Sequence, residues 1–233
     1  MTDKIINDKV LGQIILRHSV RAKRYSIHIK EGQIFATIPR QGNERMMHTF
    51  INEQRSKLLT MLQKNPKRPL LNENTELQTQ TFQLHIFKSP RAHFYATLKE
   101  DYLHIACPES IDFNDSKVQD KLYLILRQAL QREAMRILPV RLKALAELHR
   151  FRYNSVTIRN TKTRWGSCSS IQNINLSLSL MLLPTHLIDY VLLHELCHTI
   201  EMNHSSQFWL LMDKVTNGLA KAYRRELKTF RML

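Results

Sequence analysis

The sequence predicts an α+β fold, with a β-rich N-terminal region followed by a C-terminal domain in which a β-hairpin packs on an apolar helix. Apolar and polar residues alternate with the period of a β-strand through much of residues 1–112. A helical pattern then extends over Ser116–His149, and a strand pattern at Ile174–Leu180 leads into an apolar helical run from Leu187. We therefore expect two domains, residues 1–112 and residues 113–233.

The β-rich region begins with a predicted hairpin. Residues 25–30 alternate in the strand period, a second apolar run spans Ile34–Ile38, and Glu31-Gly32 between them suits a turn. Alternation returns at Phe82–Ile86 and at Tyr102–Ala106. No internal repeat is evident in this region.

Caps and prolines predict where the helices begin and end. Asn43 can cap a helix that continues to Leu62, and Asn65–Pro69 predicts a break after it. Pro139 lies inside the long helical run and should kink or divide it, because proline lacks the N–H that a helix interior requires. Pro184 stands where the following apolar helix should begin, a position at which the missing N–H is harmless.

A short histidine motif on that apolar helix indicates a metal site. His194 and His198 are four residues apart, so both imidazoles lie on one helical face and can bind one ion. Glu195 points about 100° away around the helix, beside the ion. Three neutral nitrogen ligands leave the fourth position of a zinc ion open for water, and an adjacent carboxylate can accept the proton of that water. The alternative is two surface histidines and a solvated glutamate, but the apolar surroundings predict burial, where these groups need partners.

His204 is the expected third ligand. A continuous helix would place it about 240° from His198, so the helix must end first, and Glu201–Asn203 offers a place for that. Ser205 can then cap the next helix. Glu201 itself is an alternative ligand, but three ligands along one straight helix rise too far to converge, so we expect it to hold an imidazole proton instead. Remote carboxylates are further alternatives: Asp213 and Glu226.

A loop before the metal-binding helix is expected to line the same site. Val156–Ile158 and Ile174–Leu180 predict a hairpin directly before the helix, and Lys162–Ser170 connects its strands. Arg164 could stabilise an anionic group or a developing oxyanion, and Trp165 could form a wall of the cleft. A plain turn with one packed tryptophan is the alternative. On the helix itself, Tyr190 and Cys197 are expected to pack in the core and not to take part in the chemistry.

The charge balance is strongly basic. Lysine and arginine number 35 against 20 aspartates and glutamates, which gives a formal net charge of +15. Such a charge attracts polyanions or anionic substrates, nucleotides and nucleic acid among them, without identifying one. Six of the basic residues form a C-terminal stretch that is either a basic patch or a solvated helix face: Lys214, Lys221, Arg224, Arg225, Lys228 and Arg231.

Composition also limits the cellular context. A hydrophobic content of 43% is ordinary for a globular protein, and no apolar run is long enough to span a membrane. The N-terminus lacks the apolar region of a signal peptide, so we expect a cytoplasmic protein without a membrane partner. Cys107, Cys168 and Cys197 are odd in number and widely spaced, which argues against a disulfide framework. The oligomeric state does not follow from the sequence.

Several of these segments together resemble the YgjP-like family of metal-dependent hydrolases. The resemblance implies a zincin-like, peptidase-type C-terminal domain related to the WLM and SprT families, with His194, His198 and His204 as metal ligands and Glu195 as the catalytic base. The segments that carry it are Arg21-Ala22-Lys23-Arg24, Arg164-Trp165-Gly166-Ser167-Cys168, Ile174-Asn175-Leu176, Pro184, His194-Glu195-Leu196-Cys197-His198, Asn203-His204-Ser205 and Phe208-Trp209.

The leading functional hypothesis is zinc-dependent hydrolysis of a peptide bond in a protein or peptide substrate. Glu195 would act as the general base, while Arg164 would steady the oxyanion. An extended substrate could pair with an exposed edge of the hairpin. Two alternatives stay open: a metal-dependent hydrolase of nucleoside triphosphates or other phosphoanhydrides, and a zinc-stabilised module that binds nucleic acid.

Overall fold

The computed structural model describes residues 3–30, 32–64 and 68–233 and divides the chain into two compact units, Met1–Pro69 and Leu70–Leu233. The α+β class expected from the sequence is confirmed. Glu31 in the predicted turn and residues 65–67 in the predicted break lie outside the described residues.

The first unit is a mixed sheet with helices. Its elements are β1 (Lys4–Asp8), β2 (Gly12–Ser19), β3 (Ser26–Lys30), β4 (Gln33–Pro39), α1 (Glu44–Glu53) and α2 (Arg55–Lys64). The sheet has the order β1-β2-β4-β3, in which β2 and β4 are parallel and the other pairs antiparallel. The predicted hairpin is therefore confirmed as β3 and β4. Asn43 caps α1 as expected, since its Oδ1 accepts from the Met46 N–H at 2.9 Å, but the helix is interrupted at Gln54 rather than continuous to Leu62.

Alternate residues of this sheet form the core of the first unit. Ile14, Ile34 and Ile38 are fully buried, and Met47 and Ile51 of α1 pack on them. Because side chains of a strand alternate between its two faces, this pattern fixes which sheet face α1 covers.

The second unit contains two further sheets and the remaining helices. Its elements are β5 (Gln83–Ser89), β6 (Tyr95–Lys99), β7 (Tyr102–Pro108), α3 (Ser116–His149), β8 (Ser155–Arg159), β9 (Gly166–Cys168), β10 (Asn173–Ser177), a 3₁₀ helix (Leu178–Leu182), α4 (Thr185–Cys197), α5 (Ser206–Val215) and α6 (Ala220–Leu227). The sheets have the orders β5-β7-β6 and β8-β10-β9.

The sheet β5-β7-β6 belongs to the same core as the helices of the second unit. Leu84, Ile86 and Ile105 are buried with Leu122 and Leu126 of α3. The β-rich region expected at residues 1–112 thus extends from the first unit into the second. A boundary at residue 112 would separate side chains that bury each other, whereas the division into two compact units falls between Pro69 and Leu70 in the sequence.

Helix α3 is not divided at Pro139, contrary to one of the two expected effects. It is continuous over Ser116–His149. Pro139 cannot donate to the carbonyl of Met135, but Met135 is 60% exposed, so water can satisfy that carbonyl. The loss of one hydrogen bond on the solvent side is tolerated in a helix whose other face is anchored in the core.

The hairpin before α4 is built from other strands than expected. β8 and β10 lie parallel, with Val156 opposite Ile174, and the antiparallel partner of β10 is the short strand β9. Ser177 ends β10 early, because its Oγ accepts from the Ser179 N–H at 3.2 Å and starts the 3₁₀ helix. The predicted strand up to Leu180 therefore ends at Ser177, and Leu178–Leu180 form part of the buried 3₁₀ helix.

One strand arrangement recurs in each of the three sheets formed by the described residues. Three consecutive strands carry it: the first and third are parallel, the second forms a hairpin with the third, and a helix follows. In the first sheet these strands are β2, β3 and β4, and β1 pairs with β2 in addition. Ser19 pairs with Pro39 where β2 and β4 end, and Ser89 pairs with Pro108 where β5 and β7 end. This recurrence is one of strand pairing and does not bear on the expectation that the sequence of the β-rich region contains no repeat.

Candidate metal centre

Helix α4 is fixed from several sides in the second unit. Leu187, Leu192 and Leu196 are fully buried, as their continuous apolar pattern predicts. On the partly exposed face, Arg141 of α3 donates two hydrogen bonds to the Asp189 carboxylate, at 2.7 and 2.6 Å. These contacts hold the histidine-bearing end of α4 in a defined position.

The three predicted ligands lie together. Each of the three side chains offers one imidazole nitrogen, and these three nitrogens all lie within 4.8 Å of one another. The Nε2 atoms of His204 and His194 are 3.0 Å apart, so the two imidazole edges point at the same spot. Among the described residues, no other group of histidine, cysteine and carboxylate side chains is arranged so that it could hold a metal ion.

The chain leaves the helical conformation between the second and third histidine. Helix α4 ends at Cys197 with His198 as its C-cap, and the Glu201 N–H donates to the Cys197 carbonyl at 2.9 Å. Ser205 then caps α5 as expected, with its Oγ accepting from the Phe208 N–H at 3.3 Å. The helix therefore ends before His204, as expected. Its last residue is Cys197, four residues before Glu201, where the expected break begins.

Glu201 contacts His198 through its main chain rather than its side chain. The Nδ1 of His198 lies 2.9 Å from the Glu201 carbonyl oxygen, so Nδ1–H can donate to it. This bond leaves Nε2 as the unprotonated nitrogen that faces the other histidines. Glu201 thus holds the imidazole proton of His198, as expected, but with its main-chain carbonyl instead of its carboxylate.

The environment of His194 and His204 favours their neutral form by lowering their pKa values. Burial lowers the pKa of His194 to about 3, and the positive charges of His198, His204 and Arg224 act in the same direction. Burial also lowers the pKa of His204. Neutral imidazole is the form that binds a metal ion, so this environment favours metal uptake over protonation.

Glu195 lies in the core beside these imidazoles. Its side chain is 4% exposed, and burial raises its pKa to about 8, while the charge of Arg164 acts in the opposite direction. Gly166 of β9 packs directly on it, because a Cβ on Gly166 would lie 2.6 Å from Glu195 Oε1. The absence of a side chain at position 166 therefore makes room for the carboxylate.

The unpartnered oxygen of Glu195 tests whether these residues fit a metal ion with a bound water, because the unpartnered Nδ1 of His194 is on the other side of the ring from the Nε2 that faces His204. Within the described part of the chain, His194 Nδ1 and Glu195 Oε2 are buried without a hydrogen-bond partner. Such atoms are costly unless water, substrate or an ion accompanies them. Three imidazole donors and an adjacent carboxylate with a free oxygen fit a divalent metal with a water molecule beside it.

The other candidate residues fall into two groups. Arg164 is exposed on the loop before β9, close enough for its charge to act on Glu195, and Trp165 packs partly buried on the core. Tyr190 and Cys197 are buried, as expected for core residues. The two remote carboxylates do not join the histidine group, and Glu226 instead lies 2.9 Å from His186.

Aromatic rings enclose the histidines, and the sequence reasoning gave them no role in the site. Phe208 stacks on His198 with 4.5 Å between ring centroids, and Trp209 stacks on His204 at 5.9 Å. Their place directly after the third histidine, at the start of a capped helix, was a signal that could have indicated this role. These rings restrict the imidazoles and exclude water from one side of the site.

Comparisons with known proteins identify the family of the chain. The family model described as "YgjP-like, metallopeptidase domain" matches residues 23–230. The crystal structure of the metallopeptidase zymogen of Pyrococcus abyssi abylysin is 26% identical to this chain, with a TM-score of 0.37, over 42% of this chain and all of that one. No curated protein matches the chain. Among the described residues, no helix combines the length and apolar character needed to cross a membrane.

Proposed function

The chain belongs to the YgjP-like metallopeptidase family and is therefore a metal-dependent hydrolase, and from this premise we propose that it is a zinc peptidase whose ligands are His194, His198 and His204. The observation that carries the proposal is the convergence of the three imidazoles beside a buried glutamate with an unpartnered oxygen. Imidazole ligands suit zinc well, which supports zinc over magnesium or calcium. When bound, a zinc ion acidifies water and polarises the carbonyl of the scissile bond.

Glu195 is the proposed general base. It follows the first ligand directly in sequence, and its carboxylate is buried with Oε2 free. From this position it can accept a proton from the attacking water and pass that proton to the leaving amine. Gly166 supports the assignment, because close packing on the carboxylate restricts where its oxygens lie.

Arg164 is the proposed partner of the negative charge that develops on the carbonyl oxygen. The action of its charge on Glu195 supports this role, and its exposed position leaves it accessible to substrate. A guanidinium supplies several donors in a fixed plane, which suits an oxyanion. Trp165, next in sequence, can contact the substrate on the same loop.

Strand β9 is the proposed binding edge for the substrate backbone. It is an outer strand of the sheet β8-β10-β9, and its first residue, Gly166, contacts the proposed base. An extended peptide that adds to this edge would form main-chain hydrogen bonds next to Glu195. Such pairing selects an extended protein or peptide substrate over a compact phosphoanhydride.

The substitution Glu195→Gln tests the proposal, with Glu201→Gln as a control that also removes one carboxylate near the histidines. We expect Glu195→Gln to retain zinc, measured by metal analysis, and to lower peptide turnover by about 100-fold or more, since general base catalysis contributes about that much. The control keeps both properties, because Glu201 contacts His198 through its carbonyl.

The assay compares a panel of unfolded proteins with a panel of nucleoside triphosphates. Turnover of the proteins by the wild type alone supports the peptidase. Wild-type turnover confined to the triphosphates, or loss of zinc from Glu195→Gln, would sink the proposal, because the first changes the substrate class and the second makes Glu195 a structural residue.

A further inference from the structure

Helix α6 carries a row of cations on one face. Lys221, Arg224, Arg225 and Lys228 recur at the spacing of i, i+3, i+4 and i+7, which aligns them along a helix, with Lys228 as the C-cap. All four are exposed, whereas Ala220 is buried, and Tyr223 and Leu227 pack on the core. We define these four residues as the α6 basic row.

Arg224 connects this row to the candidate metal centre. Its guanidinium carbon lies 4.8 Å from the centroid of the Trp209 ring, in a cation–π contact. Trp209 in turn stacks on His204, and the charge of Arg224 acts on both His194 and His204. The tryptophan therefore holds a cation beside the three imidazoles.

The packing of α6 on α4 fixes where the row lies. His186 of α4 is 2.9 Å from the Glu226 carboxylate, and its ring lies 5.3 Å from that of Tyr223. The rings of Tyr223 and Tyr190 are 6.0 Å apart. The helix is thus attached to the metal-binding helix through Tyr223 and Glu226, while the four residues of the basic row stay exposed.

Within the part of the chain that the structure describes, the row lacks acidic partners. Glu226 is the one carboxylate of α6 and is engaged by His186, and no member of the row forms an ion pair among the described residues. Cations at i, i+3 and i+4 repel one another, which costs stability. A ligand with negative charge would relieve that repulsion.

We propose that the α6 basic row, with Arg224 as its innermost member, is a subsite that binds carboxylates of the substrate next to the metal centre. The inference rests on the proposed peptidase function and names its substrate class as acidic peptides. Trp209 covers one face of the guanidinium, which leaves the N–H edge to form paired hydrogen bonds with a carboxylate. The carboxylate comes either from Asp and Glu side chains or from the C-terminus of the peptide.

Charge complementarity favours a peptide over a nucleic acid as the occupant. The row follows one short helix, which matches a few consecutive carboxylates rather than a long polyanion. Through Trp209, its member Arg224 adjoins His204 of the candidate metal centre, where a peptide must lie for cleavage. A second arginine, Arg164, stands near Glu195, so the site offers a negatively charged substrate more than one cation.

The test measures binding separately from turnover. Zinc-loaded protein that carries Glu195→Gln is titrated with a fluorescent peptide that contains four glutamates, and anisotropy gives Kd. We expect the additional change Arg224→Gln to raise Kd about tenfold, while Lys121→Gln, an equal charge loss on α3, leaves it within about twofold. Arg224→Lys should restore part of the affinity, because it keeps the charge but loses the planar contact.

Matched ligands separate the two sources of carboxylate. A peptide with glutamine in place of glutamate reports on side chains, and a C-terminally amidated peptide reports on the terminus. Equal affinity for all three peptides, or an equal loss in Arg224→Gln and Lys121→Gln, would overturn the subsite. Tighter binding of a single-stranded oligonucleotide that is lost in Arg224→Gln would also overturn it, since the row would then serve nucleic acid.

Failure of the subsite and failure of the peptidase are distinguishable. The binding assay uses protein that does not turn over, so it reports on the row even if no peptide is cleaved by the wild type. Conversely, a wild type that cleaves acidic and neutral peptides equally well would retain the peptidase proposal and remove the subsite.

Discussion

Close contacts around one carboxylate define the site at the scale of single residues. Glu195 has a buried oxygen without a partner, and Gly166 leaves no space for even a methyl group beside the other oxygen. His198 is oriented by a carbonyl, and His204 by the ring of Trp209. Each side chain that could act chemically is therefore positioned by a neighbour that does not react.

Gly166→Ala tests that arrangement. The added Cβ would approach Glu195 to 2.6 Å, so the carboxylate or β9 must move. We expect kcat for peptide cleavage to fall by about 10- to 100-fold, because displacement by a fraction of an ångström misplaces a catalytic group. Zinc content should be unchanged, since the three atoms nearest to this Cβ all belong to Glu195.

The control for this variant is Ser170→Ala, an exposed change in the turn that follows β9. Activity in both variants equal to the wild type would show that Glu195 tolerates displacement and does not act as the base. Loss of zinc in Gly166→Ala alone would indicate that β9 supports the ligands rather than the carboxylate.

Helix α4 depends on its neighbours at the scale of elements. It is apolar nearly all round, so burial alone does not determine its rotation or its position along its axis. The paired hydrogen bonds between Arg141 and Asp189 link it to α3, and the contact between His186 and Glu226 links it to α6. These polar links specify the position that places the histidines together.

Removal of the link to α3 should destabilise the second unit. We expect Arg141→Ala to lower the free energy of unfolding by about 1 kcal/mol, since the pair is bidentate but partly exposed. Lys143→Ala on the same helix is the matched control, because its pair with Glu147 is 3.9 Å long and exposed, and such a pair contributes about 0.3–0.5 kcal/mol at most. Urea denaturation measures both. Equal midpoints for the two variants would contradict the role given to Arg141.

Two compact units organise the whole molecule, and the histidine site lies entirely in the second. The sheet β5-β7-β6 shares its core with α3, so it belongs with the metal-binding helices although the sequence groups it with the N-terminal strands. Its parallel pairing of β5 with β7 brings together residues about 19 positions apart, a separation that short-range patterns do not reveal.

Two fragments test which domain boundary is correct, the one at residue 70 in the structure or the one at residue 113 expected from the sequence. Residues 70–233 should fold and bind zinc, because they retain the buried cluster around Leu84, Ile105 and Leu122. Residues 113–233 should aggregate or remain unfolded, because they expose the apolar face of α3. Circular dichroism, thermal melts and metal analysis distinguish the two. A folded, zinc-binding fragment from residue 113 would restore the sequence-based boundary.

Local patterns determined much of this protein without a structure. The sequence placed His194, Glu195 and His198 on one helix, predicted the Ser205 cap, and required the chain to turn before His204. It also predicted the α+β class and a hairpin next to α4. These properties depend on neighbours within a few residues, for which helix geometry, capping and strand alternation are sufficient.

Only the tertiary structure decided which distant segments meet. It paired β10 with β9 rather than with β8 in the hairpin, placed Gly166 against Glu195, and brought Arg224 onto Trp209. It also assigned β5-β7-β6 to the second unit. Such contacts join residues separated by tens of positions, and their free energy comes from shared burial and electrostatics, which no pattern within one segment contains.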